Sequence, residues 1–389
     1  MKKVLIKRGC DKRIKKGYLW IFSNEIENIK DFKKGEIVSI YNSKGIFCGT
    51  GYINPDSLIA IRILSLKNEE IDSEFFIRRF KDALMLRNKL FNEPFYRLVY
   101  SEADYLPGLI IDRFDNTFVL QTNTYGMDLL KTGIESALIK MFDNINIVYK
   151  NDSDSRKLEG LEVIIQSNPA NFDGSLNIIE NDIKIKANAI FGQKTGYFYD
   201  QRANRNYLSF LSFNKYVVDT FCYTGAFGLN ALKGGAVRVD FVDSSDYAIC
   251  TSKENVLLNN FTLEKCNFIN TNVLYFFKTL KESTDKPDIL IVDPPSFVKT
   301  KKLLKEGIQG YINLNKWAFL ATKKASLIFT FSCSHHVNID IFKDIIDAAA
   351  VSAKRNYTII AELTQSFDHP IHPQMFETKY LKGYILYIN

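Results

Sequence analysis

The sequence predicts an α/β protein in which a small all-β barrel and a middle α/β domain precede a larger domain built on a mostly parallel sheet. Three observations carry this. Residues 1–66 break into short alternating runs separated by turns, as in GEIVSIYNSKGIFCGTGYINPDSLIAIRIL. Residues 70–142 mix helical spacing with strand pairs. From about residue 183, short apolar β-rich runs (VVDTFC, VRVDFVD, DILIVDPP, ASLIFTFSC) alternate with helical segments, which implies a mostly parallel sheet covered on both faces.

In chain order, EIDSEFFIRRFKDALMLRNKLF places Phe76, Phe80, Ala83, Leu84 and Leu90 on one helical face. Asp72 or Ser73 can cap that helix, and Pro94 follows its end. Residues 96–122 read as strands, with Phe-Asp-Asn-Thr as a hairpin turn. A helix over 127–142 and the strand NIVYK follow, and the polar, turn-rich stretch 151–182 reads as a linker zone. The expected domains are therefore 1–70, 71–180 and 181–389.

The 389 residues are 46% hydrophobic and 24% charged, which excludes a disordered or fibrous chain. No stretch approaches 18 uninterrupted apolar residues, and no apolar region follows the basic N-terminus. A membrane span and a signal peptide are not expected, and the cytoplasm is the default location. The six cysteines have no C-x-x-C spacing, so neither a disulfide framework nor a structural zinc site is expected. Residues 1–16 carry eight Lys and Arg against Asp11, an excess equal to the +7 of the whole chain. A positive field of this kind attracts polyanions, nucleic acid first among them, although it also suits a merely solvated face. Lys299, Lys301, Lys302 and Lys305 form a second, smaller cluster.

The chemistry-bearing residues lie at strand ends. DTFCYTGAFGLNALKGG follows KYVV, and VRVDFVDSS comes next, a strand–loop–helix–strand unit with Asp243 at the second strand's end. Small residues let a backbone approach a cofactor, and a carboxylate there accepts from ribose hydroxyls. The loop contains Gly225 and Gly228 but no G-x-G-x-x-G, which suits S-adenosylmethionine, a cofactor without phosphate, better than NAD. A helix-packing glycine pair is the plainer alternative. Asp293 precedes Pro294 and Pro295, whose fixed φ stiffens the turn around its carboxylate. Cys333 lies past the apolar run ASLIFTFS, where a parallel sheet opens its ligand crevice and a nucleophile is plausible.

DTFCYTGAFGL, FVDSS, DPPSF and FSCSHH, in this order, resemble a class I S-adenosylmethionine-dependent methyltransferase. With GQKTGYFYDQRANR, SEADYLPGLIIDRF and FDHPIHP…ETKYLKGYIL, the whole chain resembles the PUA-domain-containing 23S ribosomal RNA 5-methylcytosine methyltransferases. The resemblance implies an N-terminal RNA-binding PUA barrel, a middle α/β domain and a C-terminal Rossmann-like catalytic domain. It implies that Asp219, Phe221, Tyr223, Thr224 and Gly225 line the methionine side of the cofactor, that Asp243, with Ser244 beside it, holds the ribose, and that Asn272 meets adenine where the family more often has Asp. Gln201, Arg202 and Arg205 match a segment that closes over the cofactor; Gln193, Lys194 and Thr195 match a run without an assigned role. Asp293 would contact both cofactor and target base.

In that reading Cys333 adds to carbon 6 of cytosine, which makes carbon 5 nucleophilic, while Asp293 hydrogen-bonds the base. Some related enzymes carry a second Cys beside the prolines; Ser296 stands there in this chain. The sequence names no base for the carbon 5 proton. The nearby lysines can meet phosphates, Phe297 can stack on a base, and the target nucleotide must leave its stack. Methylation of an exocyclic amine of guanine or adenine, which needs no thiol, is the alternative chemistry. A non-catalytic RNA-binding factor is the alternative class. The family layout is compatible with a homodimer, which no segment specifies.

Overall fold

In the computed structural model, which describes residues 1–298 and 300–389, the basic N-terminus is woven into a sheet. Strand β1 (Lys2–Leu5), helix α1 (Asp11–Lys15) and strands β2 (Trp20–Ile21), β3 (Glu36–Tyr41), β4 (Phe47–Ile53) and β5 (Ile61–Ser65) form a five-stranded sheet in the order β1-β3-β4-β5-β2. Val4, Ile6, Ile14, Ile21, Val38, Ile40, Ile53 and Ile61 fill its core. Several cations have local partners: Lys2 pairs with Glu36 at 3.0 Å, Lys15 with Asp11 at 3.0 Å, and Arg13 with Glu25. Arg8, Lys12 and Lys16 stay exposed.

Helix α2 (Ser73–Leu90) begins at Asp72, whose carboxylate accepts from the Phe75 N–H at 2.9 Å. Strands β6 (Phe95–Tyr100), β7 (Leu109–Phe114) and β8 (Thr117–Thr122), helices α3 (Tyr125–Leu129) and α4 (Lys131–Met141), strand β9 (Asn146–Asn151), helix α5 (Asp154–Leu158) and strand β10 (Ile164–Asn168) follow. The sheet order is β10-β9-β8-β7-β6. The Phe114↔Thr117 pair closes the expected hairpin over Asp115, at φ 55°, and Asn116. The helix expected over 127–142 is two pieces, because Leu130 sits at ψ 1°, outside the helical well. The linker expected over 151–182 is instead structured. It contains α5, β10 and strand β11 (Ser175–Glu180), which pairs with β12 (Ile183–Asn188). Its polarity comes from an edge strand and a one-sided hairpin, which show alternate side chains to water.

The remaining elements are α6 (Arg202–Leu211), β13 (Tyr216–Thr220), α7 (Ala226–Lys233), β14 (Arg238–Asp243), α8 (Asp246–Leu258), β15 (Cys266–Asn270), α9 (Val273–Glu282), β16 (Ile289–Val292), α10 (Leu304–Ala321), β17 (Leu327–Ser332), α11 (Ile339–Ala353), β18 (Tyr357–Thr364) and β19 (Lys382–Ile388). They build a seven-stranded sheet in the order β15-β14-β13-β16-β17-β19-β18. Pairings from β15 through β17 are parallel, and β19 runs antiparallel to both neighbours. The order reverses at β13, which lies between β14 and β16, so the crevice of an open α/β sheet falls at the C-terminal ends of these strands. Val218, Leu290, Val292, Ile328, Phe319 and Ile345 are among the fully buried side chains of its core.

The chain forms two compact units: Met1–Leu176 with Asn188–Tyr199 and Phe367–Thr378, and Asn177–Ala187 with Asp200–Ser366 and Lys379–Asn389. The stretch expected as one domain, 181–389, thus gives two short segments to the first unit. Within that unit Thr195 donates to Asp112 at 2.5 Å, and Lys194 lies over the Phe198 ring. Among the described residues, no helix is long and apolar enough to cross a membrane.

Candidate active site

The loop after β13 is shaped by left-handed backbone. Phe221 (φ 57°), Tyr223 (φ 47°) and Gly225 (φ 77°) alternate with Cys222 and Thr224. Two non-glycine residues in this region cost on the order of 1–3 kcal/mol each, so the surroundings must hold them there. They do: Ser252 donates to the Tyr223 carbonyl at 3.0 Å, Asn255 donates to the Thr224 carbonyl at 3.0 Å, and the Tyr223 N–H donates to Asp243 at 3.1 Å. Gly225 caps α7 where a Cβ would meet Ser252 Oγ at 2.9 Å. At Gly228 a Cβ would stand 2.2 Å from the Phe241 ring, so this glycine serves helix–sheet packing.

Asp219, the penultimate residue of β13, is fully buried and accepts from the Gly228 N–H at 2.9 Å. Burial pushes its carboxyl up to about 7; the Gly228 N–H opposes this, the charges of Asp293 and Asp243 add to it, and Arg205 opposes it. Three carboxylates thus share one crevice mouth. Asp243 is half-buried, and its second oxygen accepts from the Ser245 N–H at 3.0 Å; Ser244 is exposed beside it. Asn272 is exposed and caps α9, accepting from the Leu274 and Tyr275 N–H groups at 3.0 and 3.3 Å. Its oxygen is occupied by that cap, and its amide remains at the C-terminal edge of the sheet.

Gln201, Arg202 and Arg205 stand at the start of α6, and all three are buried. The guanidinium groups converge on Glu180, a residue the sequence did not mark. Arg205 binds it with two bonds of 2.6 and 2.8 Å, and Arg202 with one of 3.3 Å. Both thus bind the β11–β12 hairpin, and Arg205 also lies over the Phe227 ring at 5.8 Å. Gln201 is different. It is 2% exposed, its oxygen accepts from Asn204 at 2.6 Å, and its Nε2 has no partner among the described residues. A buried amide donor without a partner is rare and costly, which fits a group that a ligand completes.

Asp293, half-buried, follows β16, and Cys333, also half-buried, follows β17. The two strands are parallel neighbours, so their ends lie together. The Cys333 sulfur is 4.0 Å from the Pro294 carbonyl, directly at the Asp-Pro-Pro-Ser turn. Ser334 locks this arrangement: its Oγ is 2.8 Å from Ser296 Oγ, 2.9 Å from the Tyr311 hydroxyl, and accepts from the Val298 N–H at 3.2 Å. Phe297, half-buried, packs on Tyr311 with ring centroids 4.6 Å apart. Lys301, Lys302 and Lys305 are exposed at the start of α10; Lys299 lies outside the described residues. Lys382 of β19 reaches the same corner, donating to the Ser334 carbonyl at 2.6 Å. The sequence signal for it was a lysine inside the apolar run KYLKGYIL.

The residues fit S-adenosylmethionine. Its positive sulfonium and amino groups suit three carboxylates, its amino-acid and ribose hydrogen-bonding groups suit Gln201 and Asp243, and no cluster of cations for a pyrophosphate is needed. Asp219, Phe221, Tyr223, Thr224, Gly225, Asp243, Ser244, Asn272 and Asp293 all lie at the ends of β13 to β16.

Comparison with known proteins agrees with this geometry. Residues 4–66 match the PUA-like domain family, and residues 156–317 match the S-adenosylmethionine-dependent methyltransferase family. Ribosomal RNA large subunit methyltransferase I of Aliivibrio fischeri is 35% identical over 390 residues, covering 98% of both chains. The protein of that name from Pseudoalteromonas atlantica is 36% identical over 388 residues, again with 98% of each covered. Among solved structures, SMU.776, a candidate methyltransferase complexed with SAH, superposes with a TM-score of 0.84 at 22% identity, over 99% of this chain and 100% of that one. A candidate SAM-dependent methyltransferase from Streptococcus mutans gives 0.82 at 22% identity with the same coverage. These two structures establish likeness of fold. The sequence relatives establish more: from end to end, this chain belongs to the ribosomal RNA large subunit methyltransferase I family, a family of S-adenosylmethionine-dependent enzymes.

Proposed function

We propose that this protein methylates carbon 5 of a cytosine in 23S ribosomal RNA, with Cys333 bonded transiently to the base. The observation that carries this reading is the half-exposed sulfur of Cys333 against the Asp-Pro-Pro-Ser turn, 4.0 Å from the Pro294 carbonyl. Exocyclic amines need no such thiol, whereas carbon 5 of cytosine is a poor nucleophile until something adds to carbon 6. The names of the relatives support a large-subunit RNA as substrate.

In this mechanism the Cys333 thiolate forms a bond to carbon 6, and the ring's electron pair shifts toward carbon 5. Asp293 hydrogen-bonds N3 and the N4 amine, favouring the protonated ring that accepts this charge. S-adenosylmethionine, when bound, supplies an electrophilic methyl group on a sulfonium. Loss of the carbon 5 proton then re-forms the double bond and expels Cys333 as thiolate. Gln201, Asp219, Asp243, Asn272 and the Phe221–Gly225 loop orient the cofactor. The exposed lysines of the N-terminal sheet and of α10 meet RNA phosphates.

The test is methylation of unmodified 23S rRNA by the wild-type protein and by Cys333→Ala, followed by nuclease digestion and mass spectrometry. The expected product is 5-methylcytidine from wild type and none from the variant. N-methylated guanosine or adenosine, or equal activity in the variant, would overturn the reading.

A further inference from the structure

Lys382 is a buried cation that the chemistry above leaves unused. It opens β19 and pairs in register with Ser332, the last residue of β17. It is 6% exposed, and its Nζ donates to the carbonyls of Ser334 and Tyr380 at 2.6 and 2.7 Å. An ammonium has three N–H donors, so one remains. Among the described residues no carboxylate stands within ion-pair distance of it. A cation buried among carbonyls without a counter-charge is costly, and such groups normally sit opposite an anion or give up their proton. Ser334 follows Cys333 directly, so Lys382 reaches the residue next to the sulfur, and among the described residues a negative charge on Cys333 favours the ammonium.

We propose that Lys382 is the counter-charge of Cys333, a positioning residue that holds the sulfur as a thiolate across the β17–β19 edge. This rests on the reading of Cys333 as nucleophile. The proton balance is internal: the S–H proton passes to the Nζ lone pair, so a neutral thiol–amine pair becomes a thiolate–ammonium pair with the same single proton. Burial draws the lysine down to about 8, with the Cys333 charge acting against that.

Several other described groups face the corner. The Pro294 carbonyl at 4.0 Å favours the thiol form. Tyr311, from α10, is raised by burial and by the Cys333 charge, so it stays neutral, with its hydroxyl 2.9 Å from Ser334 Oγ. His335 stacks on Tyr380 at 5.5 Å, and the Tyr380 hydroxyl donates to Asp200. Asp293 follows β16, the strand beside β17.

The experiment is the pH dependence of iodoacetamide alkylation of the full-length protein without cofactor or RNA, read on the Cys333 peptide by mass spectrometry. The wild-type midpoint is expected at least about one unit below the ordinary thiol value of ~8.5. Lys382→Met is expected to raise it by about one unit or more and slow alkylation at pH 7 about tenfold. Lys382→Arg is expected to keep it low. A wild-type midpoint at or above ~8.5 overturns the proposal even if Lys382→Met fails to fold. So does a Lys382→Met midpoint equal to wild type, or a Lys382→Arg midpoint as high as that of Lys382→Met. A low, Lys382-dependent midpoint together with an active Cys333→Ala enzyme would keep the ion pair and sink the nucleophile.

Discussion

Replacing Asp219 with Asn should stabilise the methyltransferase unit while weakening cofactor binding. The carboxyl is raised from 3.8 to about 7 by burial, with Asp293 and Asp243 adding to it. Between those two values the folded protein holds one more proton than the unfolded chain, so stability falls as pH rises, by about 1.4 kcal/mol per unit. Above pH 7 the accumulated loss is about 4 kcal/mol, an upper figure because water and relaxation soften buried charge. Asn keeps an acceptor for the Gly228 N–H and carries no charge, so Asp219→Asn escapes this loss. The assay is urea unfolding from pH 4 to 8. The chain has two tryptophans, and with Trp20→Phe as background Trp317 on α10 reports the second unit alone. The variant's advantage should be near zero at pH 4, grow through pH 5 and 6, and level off above pH 7. A difference that does not change with pH, or a wild type more stable at pH 8, would refute the reasoning. Calorimetric titration with S-adenosylhomocysteine should show weaker binding by the variant.

Glu180→Ala should cost about 3–5 kcal/mol in the same unfolding assay, because it removes the buried carboxylate that the guanidinium groups of Arg202 and Arg205 share. Gly228→Ala should destabilise by about 1–3 kcal/mol through the clash with Phe241, visible as a lowered Tm. Replacing exposed Lys301, Lys302 and Lys305 by Ala should weaken RNA binding and flatten its salt dependence by up to about 2 in the log–log slope, measured by filter binding.

Much of the fold was legible because the parallel strands are buried on both faces and read as unbroken apolar runs. VVDT, VRVDFVD, LIVD and LIFTFS became β13, β14, β16 and β17 with little change. The strand-end residues were legible for the same reason: an acid or thiol just past such a run has one place to be. The stretch 151–182 was not, since an exposed edge strand carries the polar composition of a loop. Glu180 was invisible because its partners lie more than twenty residues away, beyond any local spacing rule. Phe297 beside the active loop packs on Tyr311, a contact that no local spacing rule shows. Lys382 carried a faint signal, a cation inside an apolar strand, whose meaning appears only when β19 pairs with β17.

The most direct measurement of the central claim is trapping on RNA that carries 5-fluorocytidine, where fluorine replaces the proton that must leave before the sulfur can. Wild-type protein incubated with this RNA and the methyl donor should give a complex that survives denaturing electrophoresis, and peptide mapping should place the link at Cys333. No lasting complex from wild-type protein that methylates ordinary RNA normally, or a link at another residue, would contradict covalent attack by this sulfur.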